Sequence, residues 1–359
     1  MMEMTIRALR PEDAGAALKL MRDCCQAGEV LYKPLEEADF RSRFFGEERW
    51  GFAAEAEGRL IGWAQAAGKT RFLDGETREN TPLYLTMVLV EKDCRGQGVG
   101  KALLEAVRQA GAAAGKKMLV VSGDNPVHLT WLIPGAGGHD HNNAPGVNED
   151  TPGYGYLAHL GFHDDYHEIS MYLNLKDYRW DPALDTRIAA LEAEGIRVGR
   201  WTPEAGQEFD GMCDRVGSEY WRNVLRQELA AWRENRPNSD PECWPDGVMP
   251  SGPRPLLTAT KDGHIIGFTG PVDLQKSGRG WFTGICTDPA WGGRGIATVL
   301  FNLLMREFVA EGASFCSLFT GVSNHAQKIY LRAGLHVAAR WAVMSKPLEN
   351  DARYDHRYF

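Results

Sequence analysis

Arg95-Gly96-Gln97-Gly98-Val99-Gly100-Lys101 follows an apolar run, LYLTMVLV (83–90), and opens a long amphipathic stretch from Val99 to Ala114. Gly292-Gly293-Arg294-Gly295-Ile296-Ala297-Thr298 holds the same place behind GWFTGICTD (280–288). A strand, a glycine-rich turn and a helix N-terminus make an anion site. Unpaired backbone N–H groups and the helix dipole both favour negative charge, and glycine permits positive φ and close approach of a ligand. The phosphate loop pattern G-x-x-x-x-G-K-[ST] is absent. A dinucleotide fingerprint would follow the first strand of a βαβ unit, whereas both turns here follow the fourth strand of a hairpin-rich region.

The two stretches belong to an internal repeat. Gly98 and Gly295 stand 197 residues apart, and so do Gly115 and Gly312, which end the two helices. Downstream, Gly161 in LAHLGF and Gly334 in YLRAGL are 173 apart, so the first copy carries about 24 extra residues, assigned to 131–154. Each copy reads in the same order. In the first, MTIRAL is a strand. A helix follows with Ala16, Leu20, Met21 and Cys24 on one face, then a second helix over EEADFRSRFF. A hairpin turns at Glu57-Gly58, and KMLVVSG and HEISMYLNL are later strands. In the second, IRVGRW is a strand, SEYWRNVLRQELAAWREN a long helix, and Lys261-Asp262-Gly263 a hairpin turn. The expected division is a first domain over 1–175, a linker over 176–194 with a short helix after Pro182, a second domain over 195–348 and a tail over 349–359.

The chain has 359 residues, 43% hydrophobic and 25% charged, with a net charge of −8. Two domains are the prior at this length, and the acidic balance argues against nucleic acid as a partner. No apolar run approaches the ~20 residues of a membrane helix. The seven cysteines form no C-x-x-C pair, which reads as free thiols and a cytoplasmic protein. Oligomeric state is not legible. His139-Asp140-His141 in the insert is a weak metal pattern without further ligands at defined spacing, and no metal site is assigned.

The turn [Q/R]-x-x-G-x-[G/A] between strand and helix resembles the acyl-CoA-binding motif of the GNAT acyltransferase superfamily. Arg95 to Gly100 match it fully; Gly292 to Ala297 match except at the leading position. SNHAQKIYLRAGL resembles the family's N-x-x-A-x-x-x-Y-x-x-x-G-[FL] motif. The resemblance implies an α/β (α+β) chain of two tandem GNAT-like domains. Each is a mixed, mostly antiparallel twisted sheet flanked by helices, with splayed central strands. It also implies acetyl-CoA as co-substrate. Its pantetheine arm would lie on Val88, Leu89 and Val90, and on Ile285, Cys286 and Thr287. Its pyrophosphate would lie on Arg95, Gly96, Gln97, Gly98, Val99, Gly100 and Lys101, and on Gly293, Arg294, Gly295, Ile296, Ala297 and Thr298. Asn324 would help hold it, and Tyr330 would face the thioester sulphur.

Amide formation from a thioester needs a neutral amine, a donor for the oxyanion and a proton for the departing thiolate. Tyr330 is the candidate general acid, and the backbone of 285–287 the candidate oxyanion donor. No base stands out: Asp288 and Asp273 are named only as options, and Asp288 equally suits a cap. Four residues before Gly161 the first copy has Leu157, and its asparagine position falls on Thr151. The first copy is therefore expected to bind acyl-CoA without standard acid catalysis, unless its insert re-aims Tyr156 or shapes a substrate pocket. The expected activity is acetyl transfer to a primary amine of a small molecule by direct attack. The alternatives are mycothiol-synthase-like acetylation of a cysteinyl amine and a non-catalytic acyl-CoA sensor.

Overall fold

The computed structural model describes residues 3–72, 75–234 and 254–348; the tail over 349–359 lies outside them. The chain divides into two compact units, Met1–Ile169 with Ala339–Phe359, and Ser170–Ala338. The division runs through a strand near the boundary expected at 175. It also assigns the residues from Ala339 onward, expected in the second domain, to the first unit. Among the described residues no helix is long and apolar enough to cross a membrane.

In the first unit the elements run β1 Thr5–Ala8, α1 Ala14–Gln26, α2 Glu37–Phe44, β2 Arg49–Ala56, β3 Arg59–Ala67, β4 Leu83–Val90, α3 Val99–Ala113 and β5 Met118–Val121. The insert supplies β6 Trp131–Leu132, β7 Asp140–His141 and β8 Val147–Asn148; α4 Pro152–His159 and β9 His163–Asn174 follow. β1 to β4 pair antiparallel in sequence order. The β2–β3 turn is Glu57-Gly58, both at positive φ (51° and 73°), the mirror-image turn that suits the twist of a hairpin. β4 and β5 run parallel but share only Leu83↔Leu119 and Tyr84↔Val120. The other edge of β5 is covered by the chain's last strand, Met344↔Val121 through Pro347↔Met118.

Two apolar layers hold this sheet. Leu103, Leu104 and Val107 of α3 pack on Ile61, Leu85 and Leu119. On the opposite face Leu18 and Met21 of α1 and Phe40 and Phe44 of α2 surround Trp63. Trp63 stands edge-on to both phenylalanines at 5.6 and 5.3 Å and donates its indole N–H to the Ala17 carbonyl at 3.0 Å. Ala17, one residue on from the expected Ala16, is the buried member of that helix face. Where β5 stops, β8 continues the ladder on the last strand, with Ala342↔Val147 and Trp341↔Asn148. Gly146 lies so close to the Ala342 carbonyl that a Cβ would collide with backbone.

The second unit takes over part-way along β9, then has α5 Ala183–Ala193, β10 Arg197–Arg200, α6 Asp210–Val216, α7 Glu219–Arg233, β11 Leu257–Lys261 and β12 His264–Thr269. β13 Arg279–Trp281, β14 Ile285–Thr287, α8 Ile296–Ala310, β15 Phe315–Gly321, α9 Gln327–Arg332 and the start of β16 His336–Pro347 complete it. Ser218 caps α7, its hydroxyl accepting from the Trp221 N–H at 3.3 Å. The strand expected over 280–288 is broken. β13 pairs parallel with β15, and β14 pairs antiparallel with β12. Gly284, at φ +136°, packs beneath the Trp221 indole with no room for a side chain. The helix α6 was not read from sequence.

Two outcomes test this packing. Gly146→Ala should cost about 1–3 kcal/mol through overpacking and lower Tm by several degrees. Gly15→Ala, in α1 with open space around it, should raise Tm slightly; the reverse order would contradict the backbone contact at Ala342. The second outcome concerns Glu168 on β9, whose carboxyl is pushed up to about 7 by burial and by the charge of Asp124. The unfolded value lies near ~4.3, so across that interval the native state holds a proton that the unfolded chain releases, and stability falls as pH rises. Glu168→Gln should raise the denaturation midpoint at pH 8 and leave it nearly unchanged at pH 4. An equal shift at both pH values would sink the titration argument.

Candidate active site

Beyond Tyr84 the edge of β4 has no β5 partner, and a cleft opens along it. Its outer part, about 500 Å³, is walled by Val88, Leu89 and Val90 of β4, by the glycine turn, and by Pro152, Gly153 and Tyr156 of α4. Of the turn residues expected to hold pyrophosphate, Arg95, Gly96, Gly98, Val99, Gly100 and Lys101 line it. Gln97 instead points its amide to the Asp93 carbonyl at 3.2 Å. Gly96 and Gly98 stand at φ 73° and 86°, so the turn directs the first amides of α3 into the cleft. Those amides have no intrahelical acceptor, and a 15-residue helix adds its dipole.

Arg95 is held firmly. Its guanidinium meets both oxygens of Glu29 at 2.7 Å, and its Nε donates to the Val90 carbonyl at 2.9 Å. The Arg95 guanidinium holds the Glu29 carboxyl below the usual range, which makes Glu29 a poor base near neutrality. Glu29 borders the outer cleft and also a smaller adjoining recess of about 90 Å³.

Tyr156 reaches the cleft although it is one residue off the expected register. Its hydroxyl occupies the place that a Cβ on Gly100 would take, beside Val90. That hydroxyl is buried and has no hydrogen-bond partner among the described residues, and burial pushes the phenol up to about 12. Leu157, at the motif's tyrosine position, is core. Tyr154 turns outward and donates to Asp164 at 2.8 Å. The signal for Tyr156 was in the turn itself: the first copy has Gly100 where the second has Ala297, and only glycine leaves space for the phenol.

Asn125 was missed. It stands 199 residues before Asn324, close to the spacing of the glycine turns. Reading forward from the end of β5, rather than back from Gly161, places the insert after it. Its amide nitrogen donates to Thr86 Oγ1 at 3.1 Å and to the Leu85 carbonyl at 3.4 Å, bridging the splay to β4. Thr151, expected to correspond to Asn324, donates its hydroxyl to the Asn148 carbonyl at 2.8 Å.

The second turn is built alike and surrounded differently. Gly293 and Gly295 stand at φ 76° and 83°. The Arg187 side chain from α5 lies 3.3 Å from where a Gly295 Cβ would be. Arg294 pairs with Glu194 at 3.1 Å and lies over the Trp291 ring at 5.0 Å. Ile296, Ala297 and Thr298 form the first turn of α8, and the Thr298 carbonyl accepts from Asn302 at 2.9 Å. Ile285 and Thr287 are half-buried, while Cys286 is core, with its thiol pushed up to about 12 by burial. Asn324 is exposed and caps the Ala326 N–H at 2.9 Å. Tyr330 is buried between Phe282 and Phe301, at centroid distances of 5.6 and 4.8 Å, and burial pushes its phenol up to about 12. Asp288 accepts from Nε and Nη2 of Arg215 and from the Ala290 N–H, which is a cap. Asp273 forms a buried ion pair with Arg254.

Asp140 pairs with Lys33 at 2.6 Å, and His141 is buried and stacked on Trp131 at 5.9 Å. Among the described residues no group of three or more His, Cys, Asp or Glu could hold a metal.

The pattern of the acetyltransferase (GNAT) family matches the chain twice, at residues 16–128 and 221–335. No curated protein matches. Among solved structures, the chain is similar to a fungal multi-domain GH3 β-N-acetylglucosaminidase described as having a GCN5-related glucosamine N-acetyltransferase region. That match has 14% identity and a TM-score of 0.61, covering 96% of this chain but only 38% of the fungal one. It is also similar to a GCN5-related N-acetyltransferase from Sphaerobacter thermophilus, with 18% identity and a TM-score of 0.53, covering 97% of this chain and 98% of that one. At these identities the structural likeness speaks to fold. With the family pattern matched in both halves, and a glycine turn and a broken or splayed fourth strand in each unit, the chain belongs to the GNAT acetyltransferase family as a tandem member.

Proposed function

We propose that the chain is an acetyl-CoA-dependent N-acetyltransferase acting on a primary amine of a small molecule, with its chemistry in the first unit. The observation that carries this reading is the cleft of about 500 Å³ that β4, the glycine turn and Tyr156 enclose together. The donor set suits an acyl-CoA: turn amides and a helix N-terminus for pyrophosphate, an unpaired strand edge for amide-bearing pantetheine, and a buried hydroxyl without a partner. An acyl-CoA supplies the acyl group as a thioester, already activated toward an amine.

The chain's residues then have distinct tasks. Backbone amides of β4 along the splay would stabilise the developing oxyanion. Asn125 holds Leu85 and Thr86 in place. As the neutral amine's nitrogen bonds to the carbonyl carbon and the C–S bond breaks, Tyr156, whose raised phenol stays protonated at neutral pH, donates to the leaving thiolate, and the proton that the nitrogen sheds restores the phenol. In the second unit the Arg187 side chain lies at the turn, the Trp221 indole packs on Gly284, and Tyr330 sits between two phenylalanine rings. We assign that unit a supporting role, in place of the catalytic role expected for Tyr330.

Native mass spectrometry with excess acetyl-CoA should count one cofactor per chain, lost in Gly98→Glu and kept in Gly295→Glu. Loss in Gly295→Glu alone would move the site to the second unit. With a panel of primary amines, Tyr156→Phe should lower kcat by roughly 10²-fold or more with acetyl-CoA affinity unchanged, and Tyr330→Phe should leave kcat within a few-fold. The opposite pattern would restore Tyr330 as the acid. Binding without free CoA release from any amine would favour a sensor.

A further inference from the structure

Resting on the acetyl-CoA reading, we propose that Arg95 and Glu29 are positioning residues for the acceptor amine. Together they rivet the segment Glu29–Lys33 to the glycine turn as a wall of the amine's approach, and Lys101, not Arg95, supplies the side-chain charge that holds pyrophosphate. Arg95 has little left to offer a phosphate. Three of its five N–H groups are occupied: Nη1 and Nη2 form a fork on the two oxygens of Glu29 at 2.7 Å, and Nε donates to the Val90 carbonyl at 2.9 Å. A charged fork of this kind is among the stronger hydrogen-bonded pairs. Turning the guanidinium to an incoming phosphate would break it and leave the Glu29 carboxylate, 22% exposed, uncompensated beside a second anion. The paired charges also cancel at a distance, so they add no attraction at the mouth of the cleft. Lys101 does add one: it is exposed, lines the same cleft and has no ion-pair or hydrogen-bond partner among the described residues.

The other side of the rivet shows what it secures. Just past α1, the Glu29 N–H donates to the Cys24 carbonyl at 3.0 Å. The chain then leaves the helix and runs beside the insert. The Leu132 N–H donates to the Leu31 carbonyl and the Lys33 N–H to the Thr130 carbonyl, both at 2.8 Å, with Tyr32 opposite Trp131. Lys33 closes that end on Asp140 at 2.6 Å. The segment is thus tied to the insert at one end and to the glycine turn at the other, where the tie is Glu29–Arg95. Val30, Leu31 and Tyr32 line the recess that adjoins the cofactor cleft, and the recess is open to solvent. An acyl-CoA enters from the glycine turn, so the recess is a side from which an amine can come. Glu29 is the one charged side chain among its lining residues. With Arg95 neutralising it, an amine arriving as the neutral nucleophile meets no unpaired charge.

The test measures three things on the full chain: acetyl-CoA Kd by calorimetry, KM for the best amine of the panel, and amide hydrogen exchange. Arg95→Gln and Glu29→Gln should each leave acetyl-CoA Kd within about two-fold of wild type and raise the amine KM by about five-fold or more. Both should speed exchange at the Lys33 and Leu132 amides by about ten-fold or more; either variant carries the result if the other fails to fold. Arg95→Lys, which keeps the charge and loses the fork, should match Arg95→Gln. The double variant should be no worse than the worse single one. Lys101→Gln should weaken acetyl-CoA by about five-fold or more with exchange at Lys33 and Leu132 unchanged. An acetyl-CoA Kd weakened in Arg95→Gln and restored in Arg95→Lys would make Arg95 a phosphate ligand, overturning the rivet and leaving the acetyltransferase reading in place. Unchanged exchange or an unchanged amine KM in the folded variants would do the same. Wild type that binds no acetyl-CoA, or acetylates no amine, would overturn that reading and the rivet with it.

Discussion

The parting of β4 from β5 is the constraint on which the first unit depends. Two parallel strands that share only two residue pairs leave β4 beyond Tyr84 without a β5 partner, and buried backbone groups need partners from elsewhere. Asn125 satisfies part of the need from inside the protein. The rest of that edge lies along the outer cleft, with the N-terminus of α3 at one end.

The splay persists because its far side is secured elsewhere. β5 is only four residues long and would be a weak wall alone. The last strand covers its outer edge, and β8 carries the ladder on from the point where β5 stops. The insert therefore serves as structure around the site. Within it, Asp140 pairs with Lys33 and the His141 ring is stacked on Trp131.

The two copies show how similar motifs come to different surroundings. Both turns have paired positive-φ glycines and open 15-residue helices. In the first, the small residue at Gly100 makes way for a tyrosine hydroxyl. In the second, Ala297 fills that position, the motif tyrosine is enclosed by two phenylalanines, and an arginine from α5 lies at the turn. Matching the motif residue by residue therefore favoured the second copy, while the space around the motif favours the first.

What the sequence by itself determined was local. The hairpin turns at Glu57-Gly58 and Asp262-Gly263 follow from residues that tolerate positive φ. The glycine turns and the helices behind them follow from periodicity, and the repeat follows from spacing. The family was legible because its motif is a backbone shape that only glycine allows. What the tertiary structure decided was contact between distant residues. Nothing near Val121 announces that its strand neighbour is Met344. Nothing near Tyr156 says that a one-residue change of helical register still brings its hydroxyl to Gly100. Side-chain reach and strand order depend on which surfaces meet, and local propensity carries no record of that.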